Sequence, residues 1–396
     1  MEFDSIVIGA GPAGTFSALK LTEKGIHTAL IEEHSQIGTP VHCGECLSDY
    51  ALKNTGVELN SNSIAAKVKG VKVIFPSGKE CISTEPGYVL HKEKFEQSIA
   101  EQAKRKGAEI FSGTRITELE LNKEKNKWNL TSNSDELNPK TGNSFSSKLL
   151  IDATGVSQFT SRKLALNKPS ETVIGFQYLA EDCYDTDYLE FYIWPKLAPH
   201  GYLWVIPKGN GKANVGLTTT HKNKAKQFCD EFMKLKGFTK IQKSFGGLIS
   251  HSGPLKKTFS NNLMLVGDAA GFTSPMFEGG THLSLKSAEM MSEIAEKAIQ
   301  KNDFSEKTLN EYELLWKKEF PPYKKLLKGK EKFYSYNEEE LNKLSKYLPY
   351  ELNGIKTADK MIYGLKLLMH NPSIVFKGVA SAFDSFKYST SKFYGW

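Results

Sequence analysis

Residues 3–8, FDSIVI, form an apolar run that predicts a short buried strand. Residues 12–24 bring Phe16, Leu19 and Leu21 toward one side, which predicts a helix with those side chains in the core. HTALIEE, residues 27–33, predicts a second strand. A strand–helix–strand unit of this length calls for a parallel sheet, because parallel neighbours need a long crossover. GYVLHKEKFEQSIAEQAKRKGAEIF, residues 87–111, predicts a turn, then a helix, then a strand. The polar stretch from Glu118 onward, rich in Asn and Gly, predicts a hairpin excursion that returns into the apolar strand of LLIDATG. Residues 171–255 alternate apolar and polar positions in VIGFQYLA, YLEFYIW, GYLWVIP and ANVGLTTT, which predicts an antiparallel sheet. NLMLVGDAAG predicts another buried strand, and THLSLKSAEMMSEIAEKAIQ a long helix. The remainder predicts helices broken at FPPY and NPS, and no internal repeat is visible. The expected fold class is α/β. A discontinuous Rossmann-like domain takes residues 1–170 and 256–300, an inserted antiparallel sheet takes 171–255, and a helical region takes 301–396.

The turn between the first strand and helix carries Gly9, Gly11 and Gly14 in the spacing G-x-G-x-x-G. The first glycine permits the tight turn, the second lets the backbone approach a pyrophosphate, and the third allows helix and strand to pack closely. Phosphates then sit at the positive end of the helix. Glu32 ends the second strand, 18 residues after Gly14, where a carboxylate can accept ribose hydroxyls. A carboxylate there disfavours a 2′-phosphate, so the loop fits FAD or NAD better than NADP.

GDAAGFTSPMFEGG, residues 267–280, decides between those two. An apolar strand again ends in a Gly-Asp turn, and a glycine pair opens a helix. Asp268 is placed to bind a ribityl hydroxyl, and Gly279 and Gly280 to approach a pyrimidine edge. A nicotinamide dinucleotide has no need of this second loop. An extended flavin does, and FAD is the expected cofactor.

Composition narrows the setting. The chain has 396 residues, 39% hydrophobic and 24% charged, ordinary for a globular protein. No apolar run reaches the length of a membrane span, and no signal peptide is expected at the first residues. Five scattered cysteines argue against a disulfide framework and for a reducing, cytoplasmic setting. His42, His91, His200, His251 and His282 have no metal-ligand spacing, and no metal is expected. From Lys317 to Trp396, 15 lysines face 8 acids, a net of +7 that equals the net charge of the whole chain. Phe333, Tyr334, Tyr336, Phe376, Phe383, Phe386, Phe393 and Tyr394 are interleaved with them. Two readings stand: a solvated helical cap, or a surface that rests on anionic lipid at the inner face of the cell membrane. No nucleic-acid module is recognisable.

The glycine loop with Glu32, PVHCGECLS, GYVLHKEKFE, LLIDATG, GYLWVIPK and GDAAGFTSPMFEGG occur in that order. Together they resemble the geranylgeranyl reductase family of FAD enzymes, above all its archaeal digeranylgeranylglycerophospholipid reductases, over residues 3–300. That resemblance implies the fold of glutathione reductase and the aromatic hydroxylases. It also implies that Ala13, Glu32, Cys43, Gly44, Cys46, Lys92, Ile116, Asp268, Gly280 and Thr281 line the FAD. GYLWVIPK is similar to the family's Tyr-x-Trp-x-Phe-Pro-Lys pattern, with Ile206 in place of Phe, and gives Tyr202 and Trp204 the choice between core and prenyl-cavity wall. Lys208, after the proline, reads as a solvated end. Two further departures are Lys92, where the family has Arg, and Cys46, where it often has Gly. The second makes a C-x-x-C of Cys43 and Cys46, read either as a loop along the flavin or as a redox pair.

The implied reaction adds hydride and a proton across an isolated alkene of a prenylated lipid. The residues leave the acid open among water, Cys43 and a tyrosine such as Tyr202. They leave the electron donor open between ferredoxin and NAD(P)H. A flavin monooxygenase of the same fold and a non-enzymatic flavin- and lipid-binding protein are the competing readings. An electron-transfer flavoprotein dehydrogenase is disfavoured, because no cysteine follows Cys229 to hold a cluster.

Overall fold

The computed structural model describes residues 1–134, 144–354, 365–386, 388–394 and 396. In chain order the first elements are β1 (Glu2–Ile8), α1 (Pro12–Glu23), β2 (Thr28–Ile31), β3 (Cys46–Ser48), α2 (Asp49–Thr55), β4 (Ile64–Ile74), β5 (Glu80–Leu90) and α3 (Lys92–Arg105). Then come β6 (Glu109–Phe111), β7 (Thr114–Asn122), β8 (Lys127–Ser134), β9 (Ser144–Asp152) and α4 (Phe159–Lys163). The middle contains β10 (Thr172–Ala180), β11 (Tyr188–Tyr192), β12 (Leu203–Gly209), β13 (Lys212–Thr219), α5 (Ala225–Lys236) and β14 (Ile241–Ser250). The last part runs β15 (Phe259–Ser260), β16 (Leu263–Leu265), α6 (Thr281–Lys301), α7 (Glu306–Glu319), α8 (Tyr323–Phe333) and α9 (Glu338–Ser345). Short helices follow at Pro372–Phe376, Val379–Phe386 and Ser391–Tyr394.

The first sheet has the order β15-β16-β9-β1-β2-β6, with β8 on β9 and β7 on β8. β1 is parallel to both β2 and β9, and β16 is parallel to β9. Such a strand is covered on both faces, which is why Ile6, Val7 and Ile8 are apolar at consecutive positions rather than alternating. Ile6, Val7, Leu30, Leu149, Leu150 and Met264 are fully buried there. Phe16, Leu19 and Leu21 of α1 are buried as the spacing predicts. α1 starts with Gly11 at its N-cap and Pro12 in its first turn, the position where a missing N–H costs nothing. The tip of the polar excursion, residues 135–143, lies outside the described residues.

The second sheet has the order β14-β10-β13-β12-β11-β4-β5-β3. This corrects two expectations. Residues 46–90 belong to it through β3, β4 and β5, although the sequence placed them with the first domain. It is also not wholly antiparallel, because β11 pairs with β4 in parallel, Phe191 opposite Val73. The reason is that β4 and β5 are a self-contained hairpin, with Val71 opposite Ser83, whose partner strand arrives far later in the chain. Gly87–Leu90, expected as a turn, is the end of β5. α5 lies within the stretch expected as sheet. Its residues Ala225, Cys229, Phe232 and Met233 recur at helical spacing and cover Tyr178, Val215 and Leu217 of that sheet.

α7 belongs with the first body. The Tyr312 hydroxyl donates to the Leu265 carbonyl at 2.8 Å, and the Trp316 indole donates to Thr258 Oγ1 at 3.0 Å. The tail aromatics also divide. Phe333 and Tyr336 are buried core, as the helical-cap reading has it and the lipid-surface reading does not: the Phe333 ring packs on Phe386 of the helix Val379–Phe386, and the Tyr336 hydroxyl donates to the Ile374 carbonyl. Phe376 is 83% exposed. The side chains of Phe383 and Tyr394 lie outside the described residues.

Candidate functional site

A cavity of about 960 Å³ runs between the two sheets and under the first turns of α1 and α6. That is the upper end of the usual range for ligand sites. Gly9, Gly11, Ala13, Glu32, Cys43, Gly44, Cys46, Lys92, Ile116, Asp268, Gly280, Thr281, Tyr202 and Trp204 all line it. Gly14, expected among the cofactor-binding residues, does not line it. A Cβ built there would stand 1.8 Å from the Gly9 carbonyl oxygen and 3.2 Å from the Ala153 Cβ, so Gly14 serves helix–strand packing beneath the loop.

Each half of the site follows from local structure. Gly9 has φ +95° and its Cβ would strike the Ala153 carbonyl, so only glycine makes this turn. A Cβ at Gly11 meets no described atom within 4 Å, leaving backbone and open space facing each other at the helix terminus. Glu32 Oε2 accepts from the Ala10 N–H at 2.7 Å, and Oε1 accepts from the His34 N–H at 3.0 Å. The carboxylate therefore fastens the loop as well as facing the cavity. On the other side Gly267 (φ +57°) donates its N–H to Ser287 Oγ, which ties the Gly-Asp turn to α6. Asp268 Oδ1 accepts from Thr273 Oγ1 at 2.9 Å, and burial raises its carboxyl above the ordinary carboxylate range. Gly280 caps α6 beside it. The two helix N-termini thus open on one space, a fit for a ligand with a diphosphate near one end and an electron-rich ring at the other. The residues present fit FAD on these grounds.

Residues 43–46 join the halves. The buried Glu45 carboxylate accepts from Lys208 Nζ at 2.6 Å, from Asn214 Nδ2 at 2.7 Å and from the Lys92 N–H at 3.0 Å. Lys208 is therefore not a solvated end; its side chain is 9% exposed and its ammonium also donates to the Leu90 carbonyl. Lys92 is buried against Glu96 at 2.9 Å. Desolvation works to lower its pKa, but the charges of Cys43, Glu96 and Glu45 outweigh that, and the net shift is upward. It is a fixed cation in the cavity wall.

Cys43 and Cys46 are free thiols. Burial, and secondarily the neighbouring Cys43, hold the Cys46 thiol well above its ordinary pKa. A redox pair needs an accessible thiolate, so this environment favours the loop reading. Cys46→Gly is expected to keep bound FAD and turnover, within about 1 kcal/mol of the parent stability. Normal flavin content with lost turnover would instead assign a redox role to the pair.

Toward the second sheet the wall becomes aromatic. Phe191, Tyr202, Trp204 and Phe277 line it, with the Tyr202 and Phe277 rings 5.2 Å apart and the Phe191 and Phe277 rings 5.5 Å apart. The Tyr202 hydroxyl donates to the Phe277 carbonyl, and the Trp204 indole donates to Gln177 Oε1. Both polar atoms are thereby turned away from the cavity as hydrogen-bond partners, which leaves an apolar surface. Thr154, Gly155 and Arg162, in and after the LLIDATG strand, also line the cavity and were not singled out from sequence. Nor was Glu278, although a charged residue within the run PMFEGG was visible. Among the described residues no group of three or more His, Cys, Asp or Glu could hold a metal ion.

The family model described as geranylgeranyl reductase catalytic domain matches residues 171–247, and that described as pyridine nucleotide-disulphide oxidoreductase matches residues 3–185. The digeranylgeranylglycerophospholipid reductase of Methanocaldococcus jannaschii is 32% identical over 392 residues, covering 94% of this chain and 96% of the relative. The chain belongs to the digeranylgeranylglycerophospholipid reductase family. A member from Methanosarcina acetivorans is 34% identical over 334 residues, 80% of each chain. The crystal structure of a geranylgeranyl bacteriochlorophyll reductase-like protein from Thermoplasma acidophilum superposes with a TM-score of 0.86 at 27% identity, covering 96% of this chain and 99% of that one. The flavin-dependent halogenase CmlS shares the fold alone, with a TM-score of 0.68 at 18% identity over 96% of this chain and 72% of that one. The chain binds FAD, on the fold expected from the sequence.

Proposed function

We propose that this FAD-dependent oxidoreductase saturates C=C bonds of geranylgeranyl chains carried on glycerophospholipids or their precursors. The observation that carries the reading is the continuity of one cavity from the two glycine turns to the aromatic wall of Phe191, Tyr202, Trp204 and Phe277. Bound and reduced, FAD supplies a hydride. The chain's own part is to hold that cofactor and to present an apolar, water-poor chamber beside it. The aromatic wall suits a prenyl chain, which offers only dispersion and π contacts. Gly9, Gly11, Glu32 and the start of α1 are assigned to the diphosphate and ribose. Cys43, Gly44, Cys46, Asp268, Gly280 and Thr281 are assigned to the ribityl and ring end. Anaerobic photoreduction followed by a geranylgeranyl glycerolipid tests the assignment. Flavin reoxidation with a mass gain of two hydrogens per double bond is the expected result, and no reoxidation overturns it.

The substrate is a lipid, and each buried CH₂ holds a chain in the bilayer by about 0.8 kcal/mol. Peripheral contact with an anionic membrane accounts for how such an enzyme meets it. Among the described residues no helix is long and apolar enough to cross a membrane. Leu365, Leu368, Met369 and Phe376 are large apolar side chains exposed within twelve residues of chain, with Lys366 among them. The expected result is sedimentation with anionic vesicles, reduced at least tenfold in affinity by Met369→Ser with Phe376→Ser at both low and high salt. Two apolar side chains removed from lipid amount to about 3 kcal/mol or more, so a tenfold change is a floor. Equal sedimentation would take this face out of membrane contact.

A further inference from the structure

Trp396 lines the cavity together with Phe277, Gly279, Gly280 and Thr281. Two glycines make room for it. A Cβ at Gly87 of β5 would stand 2.5 Å from Cζ3 and 2.7 Å from Cη2 of the Trp396 indole. A Cβ at Gly279 would strike the Trp396 carbonyl carbon and stand 2.7 Å from its oxygen. Neither glycine has a φ in the left-handed region, so the backbone does not demand glycine at either place. At Gly279 the demand comes from Trp396; at Gly87 it comes from Trp396 and from the Leu47 carbonyl oxygen, 2.7 Å from the same Cβ. Gly87 stands opposite Ser48 of β3, the strand that Cys46 begins. Trp396 therefore spans from the strand pair behind Cys43–Cys46 to the turn that opens α6.

One carboxylate oxygen fastens this end of the chain to β5. Glu85 Oε2 accepts from the Ser391 N–H at 2.9 Å and from the Trp396 indole N–H at 3.3 Å. Ser391 begins the short helix Ser391–Tyr394, which lies against α2. Glu85 itself does not line the cavity, so it touches the site only through what it holds. Trp396 is half-buried, with the cavity on one side and solvent on the other. Hydrogen bonds to a carboxylate are strong, and here two of them share one acceptor, so a single substitution releases both.

We infer that Ser391–Trp396 is a strap that closes the cavity at the ring end of bound FAD, with Trp396 as its positioning residue. The indole seated on Gly87 holds the Trp396 main chain across Gly279. This rests on the assignment of Gly280 and Thr281 to the ring end, and not on the alkene reaction. A closed wall there keeps water and dioxygen from the reduced cofactor, which an apolar chamber requires. Dioxygen that reaches reduced FAD takes its two electrons and two protons and leaves as hydrogen peroxide, so the reductant is lost. Glu85 sets how firmly the strap is shut, and Trp396 is the part that does the shutting.

The test compares wild type, Trp396→Ala, Glu85→Ala and the double variant, with no lipid present. The FAD-loaded proteins are photoreduced without oxygen and mixed with dioxygen, and iodide quenching of flavin fluorescence is measured on the oxidised forms. Trp396→Ala is expected to react with dioxygen at least about tenfold faster, with peroxide as the product, and to raise the iodide quenching constant at least about threefold. Glu85→Ala should change both in the same direction by less. The double variant should match Trp396→Ala, because Glu85 acts only through the strap. Urea midpoints close to wild type separate this from general loosening. Trypsin gives a readout that needs no cofactor. Lys392 is exposed on the strap, and cleavage there should be at least about tenfold faster in cofactor-free Glu85→Ala and Trp396→Ala than in wild type. Unchanged cleavage would overturn the strap. Faster cleavage with unchanged flavin access would place the ring end away from Gly280 and overturn the closing role, with the alkene reaction untouched by either result.

Discussion

Gly11→Val is expected to give a folded, colourless protein. A Cβ at this position meets no described atom within 4 Å, and φ of −69° with ψ of −171° suits a branched residue. Valine is a poorer N-cap than glycine, so the folded chain loses at most about 1 kcal/mol. The added methyls occupy the cavity side of the turn, where a diphosphate must come within hydrogen-bond distance of the backbone N–H groups. A loss of at least 100-fold in FAD affinity is expected, with urea unfolding of the cofactor-free protein nearly unchanged. Gly14→Val provides the contrast. Its Cβ lies 1.8 Å from the Gly9 oxygen, so the first strand and helix cannot pack and the chain should fail to fold. Normal FAD recovery from Gly11→Val would move the diphosphate away from this turn.

The second large effect lies at Glu45. Replacing it by Ala strips Lys208 of its carboxylate, and the Asn214 amide and the Lys92 N–H of their acceptor, all in a buried place. Removing one member of a buried ion pair costs about 3–5 kcal/mol, because the remaining charge keeps its desolvation penalty. Urea unfolding should show a loss of that size, together with weaker FAD binding, since residues 43–46 line the cavity. Glu45→Met with Lys208→Met should recover much of the stability without recovering the cofactor affinity. A single replacement that leaves stability within 1 kcal/mol would show that the pair is solvated in the working protein.

The parts legible in the sequence were those whose physics is local. FDSIVI, the glycine turn and Glu32 lie within one strand–helix–strand unit, and GDAAG lies at the end of one strand, so spacing alone located them. Tyr202 and Trp204 could be placed on one strand but not assigned to core or cavity, and they turn out to be buried and to line the cavity as well. The membership of β4 and β5 in the second sheet was hidden, because a hairpin with its own alternating pattern carries no mark of its distant neighbour. Lys208 was misread for a related reason. A lysine after a proline looks solvated until a loop from residue 45 brings it a carboxylate. Glu278 was legible as an oddity among apolar and small residues, but its pairing with Lys330 of α8 is a property of three-dimensional packing.

The parallel junction of β4 with β11 also bears on how the chain is made. Lys72 and Glu190, which meet across it, are 118 residues apart in sequence. At about 5–20 residues per second, the ribosome takes roughly 6–24 s to deliver β11 after β4 has been synthesised. Through that interval one side of the β4–β5 hairpin has no native strand to pair with, and an unpaired strand edge is a template for wrong partners. Synthesis of this chain therefore includes a fixed waiting period with an open strand edge that its finished form does not betray.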